Sequence, residues 1–216
     1  MTPEERVRRL AADLPEEERV RTASAAGPLA TFLSFLLEKN AVMNLVSARS
    51  AELDVLLGRH LHDALLGLPL LPRPRGRRIR LLDLGAGGGF PAIPLLLVRG
   101  DLEGTLVESS RKKAAYLREA LLRLALTARV VNARFPDSFP MGKNPRYDVL
   151  TTRAVASAGR LVRAARPLLF PDAQALLWTS EPLAAEAARR SGARKSSFHR
   201  APGADRRGIL RLECFT

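Results

Sequence analysis

The run LLDLGAGGGFP, residues 81–91, holds the residue pattern most able to do chemistry in this chain. Gly85, Gly87, Gly88 and Gly89 remove four side chains from one short turn. Backbone without side chains can bend sharply and come close to a bound molecule. The apolar run IRLLDL precedes the glycines and PAIPLLLV follows them, so they sit where a strand hands over to a helix. A plain flexible turn is the simplest alternative, and the flanking elements argue against it. A P-loop is excluded because no Lys-Ser or Lys-Thr follows at the required spacing. A dinucleotide fingerprint needs a third glycine where this chain has Phe90, followed by Pro91. The loop therefore suits a nucleoside ligand that lacks a pyrophosphate.

Glu108 ends the next apolar run, GTLVE, about 20 residues beyond the glycines. An acid there can accept hydrogen bonds from ribose hydroxyls. NAD enzymes use the same geometry, and a surface acid at a helix start would also look like this. Ser109 or Ser110 is placed to cap the helix that follows. Asp83 either orients the loop backbone or helps to hold an amine. With Phe90-Pro91 turning the loop away from dinucleotides, the expected cofactor is S-adenosylmethionine (SAM), an adenosine joined through a sulfonium to an amino acid. Arg153 ends the run YDVLTTR, which places it at the ligand edge of a sheet.

These residues need a frame to hold them. From Ile79 onward short apolar runs alternate with helical patterns: IRLLDLG, GTLVE, ARVVNAR, YDVLTTR and AQALLWTS read as strands. The segments between them carry helix spacing, and EPLAAEAARRSG ends a helix at Gly192. Such alternation predicts an α/β fold with a doubly wound, mostly parallel sheet. RKSSFHR and GILRLECF have no helix between them and predict an antiparallel hairpin at the sheet edge. Upstream, PLATFLSFLLEKN and a segment from about 51 to 66 predict N-terminal helices with apolar faces to bury. The expected organisation is a helical cap over 1–70, a basic linker over 71–78 and a cofactor-binding domain over 79–216.

The 216 residues allow one sizeable core. Lys and Arg total 35 against 22 Asp and Glu, a formal charge of +13, which favours a polyanionic partner. Candidate phosphate contacts are Arg73, Arg75, Arg77, Arg78, Arg111, Lys112, Lys113, Arg160 and Arg163, each with a solvated surface charge as its plainer reading. The lone cysteine, Cys214, excludes an internal disulfide and a Cys-rich metal site, and reads as a buried strand residue. His60, His62 and His199 form no metal spacing, so no metal is expected. No apolar run reaches the ~18 residues of a membrane span, and the N-terminus lacks the apolar centre of a secretory signal. A soluble, cytoplasmic, monomeric protein is the expectation.

Several runs resemble the RsmG (GidB) family, bacterial methyltransferases that modify N7 of a guanine in small-subunit (16S) ribosomal RNA. They are MNLVSARS, RHLHDALLGLPLL, LLDLGAGGGFPAIPLLL, LVESSRKKAAYLREA and YDVLTTRAVASAGRLV, in that order, with PGADRRGILRLECF near the end. The resemblance implies a class I SAM-dependent, Rossmann-like methyltransferase acting on ribosomal RNA or a small-subunit precursor. It implies SAM contacts at Gly85, Phe90, Glu108, Ser109, Ser110 and Arg153, with Gly87 in the same loop. Phe135 and Pro136 stand where the family has Ala-Glu on the adenine side. Trp178 stands near a family lysine, and Pro171-Asp172-Ala173 replaces Pro-Gly-Gly. Guanine N7 has a lone pair and no proton, so its methylation needs no general base and depends on positioning. Arg153 is the candidate catalytic residue, through the SAM carboxylate or guanine O6.

Overall fold

A computed structural model describes the chain except for residues 48–51, 142–145, 154–156, 204–205, 214 and 216. Cys214, the end of MNLVSARS and the AVA of TTRAVA therefore lie outside the described residues.

Among the described residues seven strands form one sheet: β1 Ile79–Leu84, β2 Leu102–Glu108, β3 Ala128–Asn132, β4 Tyr147–Arg153, β5 Leu169–Ser180, β6 Lys195–Arg200 and β7 Arg207–Glu213. Their order is β3-β2-β1-β4-β5-β7-β6. β1 to β5 run parallel, and β7 is antiparallel to both β5 and β6, the expected edge hairpin. The order reverses between β1 and β4. Connections leave to opposite faces there, which opens a crevice at the carboxyl ends of the strands.

Side-chain alternation along the strands divides the interior into two cores. Leu81 and Leu106 face one core, while Leu82, Leu84 and Val107 face the other. The helical segments described before the sheet are α1 Pro3–Leu10, a short 3₁₀ turn, α2 Glu16–Ser24, α3 Ala26–Met43, α4 Leu53–Leu56, a turn over Leu57–Leu61, α5 His62–Leu65 and a 3₁₀ turn over Leu68–Leu70. Their apolar residues, among them Leu29, Phe32, Leu33, Leu36, Leu61 and Leu65, belong to the same core as Leu81 and Leu106. The helices α6 Ala92–Val98 and α7 Arg111–Arg123 pack there too. The helices α8 Ala158–Ala165 and α9 Glu181–Ser191 cover the other face. With both faces covered, the central strands are buried almost throughout, as a parallel sheet requires.

Local chemistry sets the ends of these elements. Thr2 and Glu5 form a capping box on α1. α3 closes at Asn44 with φ 49° and α9 at Gly192 with φ 73°, both left-handed stops. Between α4 and α5 the chain makes a π-helical turn over Leu57–Leu61, so the expected single helix is locally widened. Such turns re-aim side chains and recur at functional sites. Gly67 is fixed by close approach: a Cβ there would lie 2.5 Å from the Trp178 ring. No single helix among the described residues is long and apolar enough to cross a membrane.

Candidate functional site

The first half of the site is built from backbone. Gly85, Gly87 and Gly89 have φ of 79°, 52° and 94°, a region that only glycine enters at low cost. The Gly85 and Ala86 N–H groups both donate to the Val107 carbonyl, at 2.9 and 3.1 Å. Glu108, 8% exposed, completes the clasp. One of its carboxylate oxygens accepts from the Gly87 N–H at 2.9 Å and the other from the Ser110 N–H at 2.8 Å. The Ser110 hydroxyl caps α7 by accepting from the Lys113 N–H. The Asn132 side chain donates to the Glu108 and Ser109 carbonyls at 2.8 and 3.1 Å, joining the end of β3 to the end of β2. Phe135, half-buried and edge-on to Phe139 at 5.3 Å, and the exposed Pro136 follow β3. Gly85, Gly87, Glu108, Ser109, Ser110, Phe135 and Pro136 thus fall in one row across the carboxyl ends of β1, β2 and β3. Phe90 lies beneath the loop, 6% exposed, against Phe32 at 5.2 Å and His60 at 5.3 Å.

Two observations suit this row to SAM. A Cβ on Gly87 would meet only the Gly85 carbonyl, at 3.7 Å, so the backbone at Gly87 leaves room for a ligand, while Gly88 and Gly89 are closed from the other side by Leu36, Leu45 and Ile93. Asp83 is 1% exposed; one oxygen accepts from the Thr151 hydroxyl at 2.7 Å and the other has no partner. Burial pushes its carboxyl up to about 7, opposed by the Thr151 bond and reinforced by Glu108. A buried oxygen without a partner is costly alone and is what an ammonium group would satisfy. Each Glu108 oxygen keeps a further lone pair for a ribose hydroxyl.

The second half is built from side chains far apart in sequence. Arg153, at the end of β4, does not stand in the glycine-loop row. Its Nη2 donates to the Arg59 carbonyl at 2.8 Å and lies 3.7 Å from the Asp63 carboxylate; its Nη1 is buried without a partner. Arg207, at the start of β7, donates to the same Asp63 at 3.3 Å. Trp178 Nε1 donates to the Asp63 carbonyl at 2.6 Å. Asp63 thus ties the N-terminal helices to β4, β5 and β7. Burial raises its carboxyl above the ordinary range, against the lowering pull of Arg153 and Arg207. His60 sits beside this hub, and burial together with Arg153, Arg207 and Arg59 pushes its imidazole down to about 4. It is neutral at physiological pH. A cavity of about 630 Å³ adjoins the hub, over β4, β5 and β7.

Three of the four linker residues expected as phosphate contacts are engaged within the protein. Arg77 binds the Asp148 carboxylate through two nitrogens, both at 2.7 Å. Arg78 donates to the Gly100 and Leu102 carbonyls, and Arg75 pairs with Asp172. The linker leads into the start of β1, so these arginines clamp the amino edge of the sheet. A six-residue strand, about 20 Å long, separates them from the glycine loop. Arg73 lines a surface cleft with Gly100 and Asp101, before the start of β2. Asp63, Arg59, His60 and Arg207 were the residues that sequence reasoning missed as a site. The one available signal was that RHLHDALLGLPLL and PGADRRGILRLECF stood in the resemblance. No group of His, Cys, Asp and Glu among the described residues could hold a metal.

The doubly wound sheet with its antiparallel last strand, a glycine loop after β1 and an acid at the end of β2 define a class I SAM-dependent methyltransferase. Solved structures share this fold: the CurJ carbon methyltransferase, with a TM-score of 0.62 at 14% identity, covers 100% of this chain and 72% of its own. A methyltransferase from Pyrococcus furiosus gives a TM-score of 0.61 at 14% identity over 87% of this chain and 98% of its own. Residues 27–200 match the model of the GidB family, rRNA small subunit methyltransferase G, and the chain belongs to that family. A relative named ribosomal RNA small subunit methyltransferase G from Acidiphilium cryptum is 35% identical over 166 residues, 74% of this chain and 73% of its own. The protein of the same name from Gluconobacter oxydans is 37% identical over 158 residues, 73% of this chain and 76% of its own.

Proposed function

We propose that this enzyme transfers the methyl group of SAM to N7 of a guanine in small-subunit (16S) ribosomal RNA, acting as a cytoplasmic monomer. The observation that carries the reading is the pairing, on adjacent strands, of a cofactor row at β1 with an arginine-lined cavity at β4, in a chain of this family. SAM, when bound, supplies an activated methyl group. Gly85, Gly87, Glu108 and Ser110 hold its nucleoside, with Asp83 taking the amine and Phe135 beside the adenine.

The remaining work of the chain is positioning. N7 needs no proton removed, and the groups around the hub suit that chemistry: His60 is neutral, Asp63 is engaged by two arginines, and Arg153 keeps a spare donor for guanine O6 or the SAM carboxylate. Ordering the nucleophile against the methyl group is the main source of rate in such a reaction. The net positive charge draws in the RNA and makes binding salt-dependent. A strain lacking the gene should lose one 7-methylguanosine from its 16S RNA by mass spectrometry. A mark that persists refutes the reading.

A further inference from the structure

The cavity is longer than one methylated base requires. Arg153 of β4, Trp178 of β5, Ile209 of β7 and His199 of β6 are register partners in succession, and all four line it. Three inter-strand spacings make that row about 14 Å long. β1 and its glycine loop lie on the other side of β4, so the cavity begins beside the methyl donor and runs away from it. A guanine presenting N7 at the boundary between β1 and β4 occupies only the near end. The volume, about 630 Å³, falls within the ~300–1,000 Å³ that small-molecule sites enclose.

The two ends differ in chemistry. Asp63, Arg153 and Arg207 gather at the near end. Between that end and the hairpin, Leu66, Leu70, Leu177, Leu183, Ile209 and Trp178 line an apolar stretch, and Thr179, Ser180, His199 and Arg200 line the cavity beyond it. Trp178 has already spent its N–H on the Asp63 carbonyl, so it offers the cavity only an apolar surface. Arg200 and Arg207 line the same cavity from the hairpin, where phosphates of a strand lying across it would pass.

We propose that this apolar stretch is a second base-binding subsite, which takes the nucleobase next to the methylated guanine in a single-stranded RNA segment. It rests on the RNA reading above. Contact with ring and aliphatic surfaces makes the subsite tolerant of base identity, because every base has an apolar face. It holds the strand so that the neighbouring guanine stays at the near end.

The test uses a synthetic RNA of the methylated segment, with an abasic nucleotide placed on each side of the guanine in turn. On one side the abasic RNA should raise KM by about fivefold to a hundredfold, the cost of losing one stacked base. Leu183→Gln changes a half-exposed wall residue; it should raise KM for the intact RNA and erase the penalty of the abasic one. Trp178 is the only tryptophan in the chain, so its fluorescence reports occupancy without turnover. Intact RNA should change its emission and the abasic RNA should not. A KM insensitive to both flanks, with unchanged emission, overturns the subsite and leaves the guanine reading intact. An emission change accompanied by methylation at an atom other than guanine N7 keeps a base-binding subsite and overturns the guanine reading.

Discussion

The carboxyl edge of the sheet has two halves made in different ways. Over β1, β2 and β3 the site is backbone: positive-φ glycines, carbonyls and N–H groups closed by Glu108 and Asn132. Over β4, β5 and β7 it is side chains, with Asp63 bridging Arg153, Arg207 and Trp178. The first half is fixed by each strand and the turn after it, with α3 packed beneath the glycines, so it is preorganised for a constant cofactor. The second depends on the N-terminal helices being docked, which suits an acceptor side that must take in a large RNA. Damage to the first half should therefore weaken cofactor binding, and damage to the second should slow transfer.

The largest effect is expected at Arg153. Arg153→Ala should lower the methylation rate by about a hundredfold or more, the range for losing a positioned donor at a reacting centre. SAM affinity separates its two candidate partners: affinity kept means O6, affinity lost means the carboxylate. An unchanged rate would remove Arg153 from the site. Next comes Glu108→Ala, which strips two charge-assisted hydrogen bonds of ~1.5–3 kcal/mol each from the loop. Calorimetry should show SAM binding weakened at least about tenfold, with RNA binding retained; equal loss of both would break the division between the halves.

Asp83 gives a smaller, pH-dependent effect. In the folded chain its carboxyl keeps a proton up to about pH 7, against about 3.9 unfolded. Its contribution to stability is thus full below about pH 4 and is lost as pH rises through 7. Asn does not titrate, so Asp83→Asn should gain in melting temperature on the parent between about pH 5 and pH 8. His60 works in the opposite sense: with its pKa pushed down to about 4, its contribution is full above about 6.5 and falls away as pH drops through 4. Removing Asp83 should therefore leave the His60 contribution, which rises with pH only up to about 6.5. Parallel melting profiles would contradict the burial argument. The smallest effect is expected from Arg75→Ala with Arg77→Ala, at the amino edge. Methylation should stay within about twofold of the parent, as for surface charges remote from the site; a large loss would restore the linker as an RNA contact.

How much the sequence revealed follows the same division. Ile79 to Ser110 is one contiguous strand–turn–helix–strand, so spacing placed the glycine loop and Glu108 side by side, and the family resemblance added Ser109 and Ser110. The parallel sheet and the edge hairpin were equally legible, because period and turn residues are local signals. Asp63 and Arg207 are 144 positions apart, and no local pattern links them. Arg153 was found by its place at a strand end, but its partners were not. The arginines of 73–78 showed their charge but not which end of the sheet they would reach, since that depends on strand direction. The π-helical turn at Leu57–Leu61, which helps aim Arg59 and His60, left no periodic trace.

The central claim is that the cofactor row and the neighbouring arginine-lined cavity together methylate guanine N7 in small-subunit RNA. Incubating the pure enzyme with methyl-labelled SAM and small ribosomal subunits from a strain lacking the gene, then mapping the label, tests it most directly. About one methyl per 16S RNA is expected, recovered as 7-methylguanosine, and incorporated at least about a hundredfold more slowly with Arg153→Ala. Label on another base, on protein, or absent from 16S RNA with active cofactor binding would contradict it.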